Sequence, residues 1–171
     1  MNILMAADGE GRNGVYAATK GWEVTAFDLS LEGKKKAESL ALEYQVSIDY
    51  HVGDFAEMTF PQSSFGALGL IYAHFGAEHK LAHCRRLNEY LQPGSVVILE
   101  AFSKNHLDFQ KKYPHVGGPK NPEILWSLQE VSSCFQDHEV LYQAEKEVVL
   151  NEGKYHVGTG AVVRWVSRKQ V

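Results

Sequence analysis

The sequence predicts an α/β domain with a doubly wound, mostly parallel sheet that finishes in an antiparallel hairpin. Three observations carry this reading. Short apolar runs alternate with amphipathic stretches through the first half of the chain, the cadence of strand–helix–strand crossovers. The run Val96-Val97-Ile98-Leu99 has no polar alternation, as a strand covered on both faces requires. Near the end, two long strand-like segments flank Asn151-Glu152-Gly153-Lys154, which has the composition of a hairpin turn.

The elements follow in order. Ile3 to Ala7 is an apolar strand that stops at Asp8-Gly9-Glu10-Gly11, and Val15 to Lys20, closed by Gly21, is helical. Glu23 to Phe27 is the second strand, ending at Asp28. Ser30 can cap a helix over Leu31 to Tyr44, whose Leu and Ala positions fall on one face. Val46 to Val52 alternates as a third strand ending near Asp54. Phe65 to Tyr72 is a fourth, and Glu78 to Leu91 is an amphipathic helix broken by Pro93-Gly94. Ser95 to Phe102 is the fifth strand. A polar loop is expected over Lys104 to Pro122, then a helix over Pro122 to Phe135. Glu139 to Leu150 and Tyr155 to Ser167 form the terminal hairpin. With no repeat, low-complexity segment or linker, residues 1–171 read as one domain.

Composition narrows the partners. Hydrophobic residues make up 44% of the chain, enough for a substantial core, and the formal net charge is −4. There is no basic excess to neutralise a phosphate backbone, so nucleic acid is not the expected partner. The two cysteines, Cys84 and Cys134, lie in no metal-binding spacing and read as reduced thiols; no metal is expected. No apolar run is long enough to cross a bilayer, and Met1 to Asp8 lacks the basic start of a signal peptide. A cytoplasmic location without membrane attachment is therefore expected.

The segment Asp8-Gly9-Glu10-Gly11-Arg12-Asn13-Gly14 stands between a strand and a helix. Glycines there allow a tight bend and close approach of a ligand, and the following helix N-terminus offers N–H groups to an anionic part. Asp28 ends the second strand, where a carboxylate can accept bonds from ribose hydroxyls. Asp54-Phe55 ends the third, with a carboxylate for an adenine amino group and a ring for its face. Carboxyl ends of neighbouring strands line one crevice, so Gly9, Gly11, Asp28 and Asp54 should converge on an adenosine-containing ligand. Gly9-x-Gly11-x-x-Gly14 with Asp28 also fits the fingerprint of an NAD(P)-dependent oxidoreductase. Against that reading, the chain has little room for a separate substrate domain, and a long terminal hairpin is foreign to that sheet.

Together, Ile3-Leu4, Gly9-Glu10-Gly11-Arg12-Asn13-Gly14, Gly21 to Ser30, Gly53-Asp54-Phe55 and Leu91-Gln92-Pro93-Gly94-Ser95 resemble the motifs of class I S-adenosylmethionine-dependent methyltransferases. The likeness is to the tellurite-resistance and thiopurine-like branch and covers nearly the whole chain. It implies a Rossmann-like seven-stranded sheet of order 3-2-1-4-5-7-6 and S-adenosylmethionine as cofactor. It further implies that Asp8, Gly9, Glu10, Gly11 and Arg12 meet the methionine and ribose parts, with Arg12 at the cofactor carboxylate. Asp28 would hold the ribose, Leu29 would lie beside the adenine, and Asp54 with Phe55 would bind it. His74, just after the fourth strand, falls where cofactor methyl and acceptor meet.

The chain departs from the family pattern at Met5 and Ala7, where an acid and a glycine are usual, with Asp8 able to supply the displaced carboxylate. Phe65-Gly66 lacks the acid common at the start of the fourth strand. The resemblance also implies N-terminal helices that cover the cofactor. Their absence from this sequence leaves three expectations: an open site, one closed by a partner subunit in a homodimer, or a sequence that is part of a longer protein. Methyl transfer from a sulfonium needs positioning and exclusion of water, and a base only if the acceptor must lose a proton. His74 is the candidate base; His115 and Lys120, flanking Gly117-Gly118-Pro119, are candidate acceptor-facing groups; Glu100, ending the fifth strand, is a further site-facing candidate, with a solvated strand end the favoured reading. Tyr72 and Trp126 are expected in the core or pocket wall, and His156 at the surface. A small molecule, a thiol or chalcogen oxyanion, is the expected acceptor. A non-catalytic, cofactor-binding or protein-interaction module of the same fold is the alternative function.

Overall fold

A computed structural model describes residues 1–152 and 156–171. The elements are β1 (Asn2–Ala6), α1 (Arg12–Thr19), β2 (Glu23–Asp28), α2 (Leu31–Glu43), β3 (Asp49–Val52) and β4 (Phe65–Ile71). They continue as α3 (Lys80–Glu89), β5 (Leu91–Phe102), α4 (His106–Lys112), α5 (Leu128–Cys134), β6 (His138–Glu152) and β7 (His156–Lys169). The sheet has seven strands in the order β3-β2-β1-β4-β5-β7-β6. The first five are parallel to their neighbours, and β7 runs antiparallel between β5 and β6. This is the predicted topology. Residues 153 and 154 of the expected hairpin turn, Tyr155 and the His156 side chain lie outside the described residues.

β1 shows why its residues are apolar on both sides. Leu4 and Ala6 join the core beneath α3 and α5, with Leu68, Leu87, Leu99, Val131 and Trp165. Ile3 and Met5 point the other way, to Val24, Ala37 and Ala67 beneath α1 and α2. Each large side chain so buried contributes roughly 1.5–3 kcal/mol. The second of these faces is covered only over part of the sheet: on its β5 and β6 rows, Ile98 is 43% exposed and Tyr142 41%. At the α3–α5 contact, Cys84 and Cys134 are buried free thiols. A hydrogen bond between them pushes the Cys84 thiol up.

Several boundaries differ from the sequence reading, and four of the differences have a visible cause. β3 begins at Asp49 rather than Val46, because the Val46 N–H closes the end of α2 by bonding to the Ala41 carbonyl. β5 begins at Leu91: Pro93-Gly94 forms an irregularity within the strand, with Gly94 at φ 80°, rather than a separator before it. The expected polar loop contains α4, organised around His106, which is fully buried and stacked on Phe102 at 4.1 Å. The expected helix from Pro122 is confined to α5, where Ser127 and Glu130 form a capping box. The Trp126 amide is already committed to the Phe102 carbonyl at 3.0 Å. Among the described residues, no helix is long and apolar enough to cross a membrane.

Candidate active site

After β1 the chain bends through Ala7 at φ 52°, Gly9 at 57° and Gly11 at 77°. For Ala7 a left-handed conformation costs about 1–2 kcal/mol, so the bend has to be held by its surroundings. Asp8 does part of this. Its N–H donates to the Phe27 carbonyl at 3.1 Å, and its Oδ2 accepts the Gly14 N–H at 3.1 Å, capping the first turn of α1. A Cβ on Gly14 would stand 2.4 Å from that oxygen, which is why this helical position is a glycine. Burial pushes the Asp8 carboxyl up to about 7; the Gly14 N–H opposes the rise and the Asp28 charge adds to it.

Asp28 ties the end of β2 to the same bend. Its Oδ2 accepts the Gly9 N–H at 3.1 Å and its Oδ1 the Ser30 N–H at 2.9 Å. The Tyr50 hydroxyl of β3 donates to the Gly9 carbonyl. Burial, with the Asp28 and Asp8 charges, pushes the Tyr50 phenol up, so it remains a donor. The ends of β1, β2 and β3 thus meet at one point. Leu29 is 72% exposed beside Asp28, and the Gly53 N–H donates to the Asp28 carbonyl at 3.1 Å. Asp54 follows, exposed, its Oδ1 accepting the Ala56 N–H at 2.8 Å.

A cavity of about 740 Å³ opens beside the bend, within the size range of small-molecule sites. Asp8, Gly9, Glu10 and Arg12 line one side; Tyr72, Glu100 and Arg164 line the other. Ile98 and Tyr142 are also in its wall. Glu10 is paired with Lys36, which holds its carboxyl below the usual range.

Asp28, Leu29, Asp54 and His74 stand outside the wall of this cavity, and Gly11 and Phe55 are in addition buried within the protein. Gly11 is buried against α2: a Cβ there would lie 2.3 Å from Ala37 Cβ, so helix packing, not ligand approach, demands the glycine. Phe55 is only 3% exposed, stacked on Phe27 at 5.1 Å and covered by the Arg86 guanidinium at 4.8 Å. Arg86 also donates to the carbonyls of Phe55, Ala56 and Met58, clamping this loop to α3. An aromatic ring next to a strand end found an apolar core before it could meet a ligand.

His74 is exposed, its ring parallel to Phe102 at 6.2 Å. His115 and Lys120 are exposed on the loop after α4 and stand outside the cavity wall. Tyr72 lies in the pocket wall and Trp126 in the core, as expected. Glu100 lies in the pocket wall, the less favoured of its two sequence readings, its Oε2 accepting from Arg164 Nε at 2.6 Å. Nothing local in the sequence singles out Arg164; only the pairing of β5 with β7 brings it opposite Glu100.

A glycine bend joined to a strand-end carboxylate, in a 3-2-1-4-5-7-6 sheet, defines the class of Rossmann-like methyltransferases. Residues 3–94, more than half of the chain, match the methyltransferase domain, and the chain belongs to that family. It is an enzyme of the class that uses S-adenosylmethionine as cofactor. No curated protein matches it. Among solved structures, it is similar to a SAM-dependent methyltransferase from Methanosarcina mazei, with TM-score 0.73 and 19% identity over 99% of this chain and 92% of that one. TehB from Haemophilus influenzae gives TM-score 0.75 and 16% identity, over 99% of this chain and 57% of that one. A putative methyltransferase from Bacillus halodurans gives 0.73 and 16%, over 99% and 93%. At these identities the likeness to solved structures is one of fold.

Proposed function

We propose that the bend between β1 and α1 and the ends of β2 and β3 bind S-adenosylmethionine, and that a small-molecule acceptor is methylated in the adjoining cavity. The observation that carries this reading is the Gly9 N–H bond to Asp28, which makes the glycine bend and the strand-end acid one surface. The residues present suit the cofactor. Each Asp28 oxygen accepts one backbone N–H and keeps a lone pair for a ribose hydroxyl. A Cβ built on Gly9 would meet nothing within 4 Å, so the ligand side of the bend is open. Leu29 is exposed beside it for an adenine face, Asp54 for the adenine amino group, and Arg12 lines the cavity for a carboxylate. Asp8, held by Gly14, and Glu10, held by Lys36, shape the bend.

When bound, the cofactor supplies a methyl group already activated by a sulfonium. The protein's own work is then to hold the acceptor in line and exclude water. We assign His74, His115 and Lys120 to the acceptor side, at the ends of β4 and on the loop after α4. In keeping with the tellurite-resistance and thiopurine-like resemblance, the acceptor is a soft nucleophile such as a thiol or a chalcogen oxyanion. We read the 171 residues as a single domain acting in this way.

Calorimetric titration with S-adenosylhomocysteine and, separately, NADH tests the reading. Binding of S-adenosylhomocysteine alone is expected. Tighter binding of NADH would overturn it in favour of an oxidoreductase. Cofactor binding without methyl transfer to any of a panel of thiols and oxyanions would reduce the protein to a binding module.

A further inference from the structure

We propose that the methyl acceptor is an organic acid, its nucleophile carried on an apolar body, and that the terminal nitrogens of Arg164 hold its carboxylate at the far wall of the cavity. This deepens the reading above and rests on it.

Strand register places the anchor. Glu100 of β5 stands opposite Arg164 of β7, and Arg164 stands opposite Ala144 of β6. The sheet order puts β7 three strands away from β1, so roughly 14 Å from it at about 4.8 Å per strand. Arg164 and the Gly9 bend nevertheless line one cavity, from opposite sides. A cofactor lying on the bend therefore leaves the Arg164 side to the acceptor.

The pair that Arg164 forms is one-ended. Its Nε donates to Glu100 Oε2 at 2.6 Å, while the Tyr72 hydroxyl donates to Oε1 at 2.8 Å. A guanidinium serving only to tie two strands would set two parallel N–H groups against both carboxylate oxygens. Here Tyr72 holds the second oxygen, and Arg164 reaches Glu100 through Nε alone. None of the described residues accepts a hydrogen bond from Nη1 or Nη2. These two nitrogens are the outer edge of a fork fixed at its inner end, and their parallel N–H groups match a planar carboxylate. The side chain is 41% exposed, so a ligand can reach that edge.

The acids that share the wall are each answered by the protein. Glu10 is paired with Lys36, Glu100 accepts from two donors, and burial pushes the Asp8 carboxyl up to about 7. Lys146, two residues along β6 from Ala144, adds a cation on the Arg164 side, its Nζ over the Tyr142 ring at 5.5 Å. An incoming carboxylate thus meets no uncompensated like charge among the described wall residues. Around Arg164 the wall is apolar: Ile98 and Tyr142 are each about two-fifths exposed, and Val166 lies beside them. A cation set in an apolar wall selects an amphiphilic acid over a small hydrated anion.

The two guanidiniums of the cavity then serve different carboxylates. Arg12, beside the Gly9 bend, meets that of the cofactor, and Arg164 meets that of the acceptor. With its acid end fixed at β7, the acceptor points its nucleophile back towards the bend, where the methyl group is presented. Arg164 takes no part in the bond changes; it decides which molecule is held in line for them.

The test compares benzoate with benzamide, its neutral isostere, by NMR titration of the protein with and without S-adenosylhomocysteine. With S-adenosylhomocysteine bound, benzoate is expected to bind about tenfold more tightly. Arg164→Gln should erase that preference while the affinity for S-adenosylhomocysteine stays that of the natural protein. Arg164→Lys keeps an ion pair with Glu100 but has no second N–H edge; it should lose most of the preference, and it decides the question if Arg164→Gln unfolds. Equal binding of benzoate and benzamide, or a preference that survives Arg164→Gln, would overturn the proposal. So would a preference that vanishes when S-adenosylhomocysteine binds, which would put the anion at Arg12. Tighter binding of phenyl phosphate than of benzoate would overturn the assignment to a carboxylate. An Arg164-dependent benzoate preference in a protein that fails to bind S-adenosylhomocysteine would overturn the cofactor reading instead and leave the anion site standing.

Discussion

Asp28 Oδ2 accepts the Gly9 amide N–H at 3.1 Å, so the carboxylate closing β2 and the bend closing β1 move as one piece. Removing the acid acts on both ligand and fold. Asp28→Ala should weaken S-adenosylhomocysteine binding by ~1–3 kcal/mol, measured by calorimetry. It should also lower the unfolding free energy by about 1–2 kcal/mol, because two backbone N–H groups lose their acceptor. An unchanged dissociation constant would show that the carboxylate does not touch the ribose.

The two glycines of the bend should fail in different ways. Gly11→Ala drives a Cβ to 2.3 Å from Ala37 Cβ at φ 77°, and should destabilise the fold by at least about 2–3 kcal/mol. Gly9→Ala meets open space at φ 57°, and should cost only about 1 kcal/mol of stability while reducing cofactor affinity. Denaturant unfolding paired with calorimetry separates these outcomes. Equal stability losses would sink the distinction.

Asp8 makes stability depend on pH in a direction unusual for an acid. Burial raises its carboxyl from 3.8 to about 7 in the folded chain, so between those values the folded state holds more of this proton than the unfolded state. Stability from this group is therefore full below about pH 4 and is lost as pH rises towards 7, by at most about 4 kcal/mol. Asp8→Asn, which can still accept from Gly14, should remove that slope from urea midpoints measured across the window. A variant whose slope matches the natural chain would refute the assignment.

Lys80 is a buried cation, 3% exposed, and its Nζ donates to the Leu125 carbonyl at 2.8 Å and to Glu130 Oε1 at 3.0 Å, over the Trp126 ring. Glu130 also takes Lys104 and closes the capping box of α5. Lys80→Ala should lower stability by about 2–4 kcal/mol, since it leaves a cavity and an unpaired carbonyl. Little of that loss should be recovered in high salt, because the pair is shielded from it. Thermal unfolding at low and high salt checks both statements.

The alternation of strands and helices and the carboxylate–glycine junction were legible in the chain because they follow from local signals, whereas the strand order came from the family resemblance. An apolar run covered on both faces, an acid at a strand end and a glycine-rich bend each have a short sequence signature. Gly9 and Asp28 could therefore be named from residue type and spacing, and Asp8 and Arg12 from the family resemblance. Phe55 and Gly11 could not be assigned to their true partners. Whether a ring faces a ligand or Phe27 and Arg86, and whether a glycine spares a ligand or Ala37, depends on residues distant in sequence.

The same holds for α4, whose organising residue His106 is buried only because Phe102 and β7 arrive from elsewhere. It holds most for the Tyr72–Glu100–Arg164 row. Periodicity and turn chemistry act over a few residues and so write the fold into the chain directly. Contacts between side chains 28 and 64 positions apart exist only once parallel and antiparallel pairing has fixed the register of β4, β5 and β7, and that decision belongs to the tertiary structure.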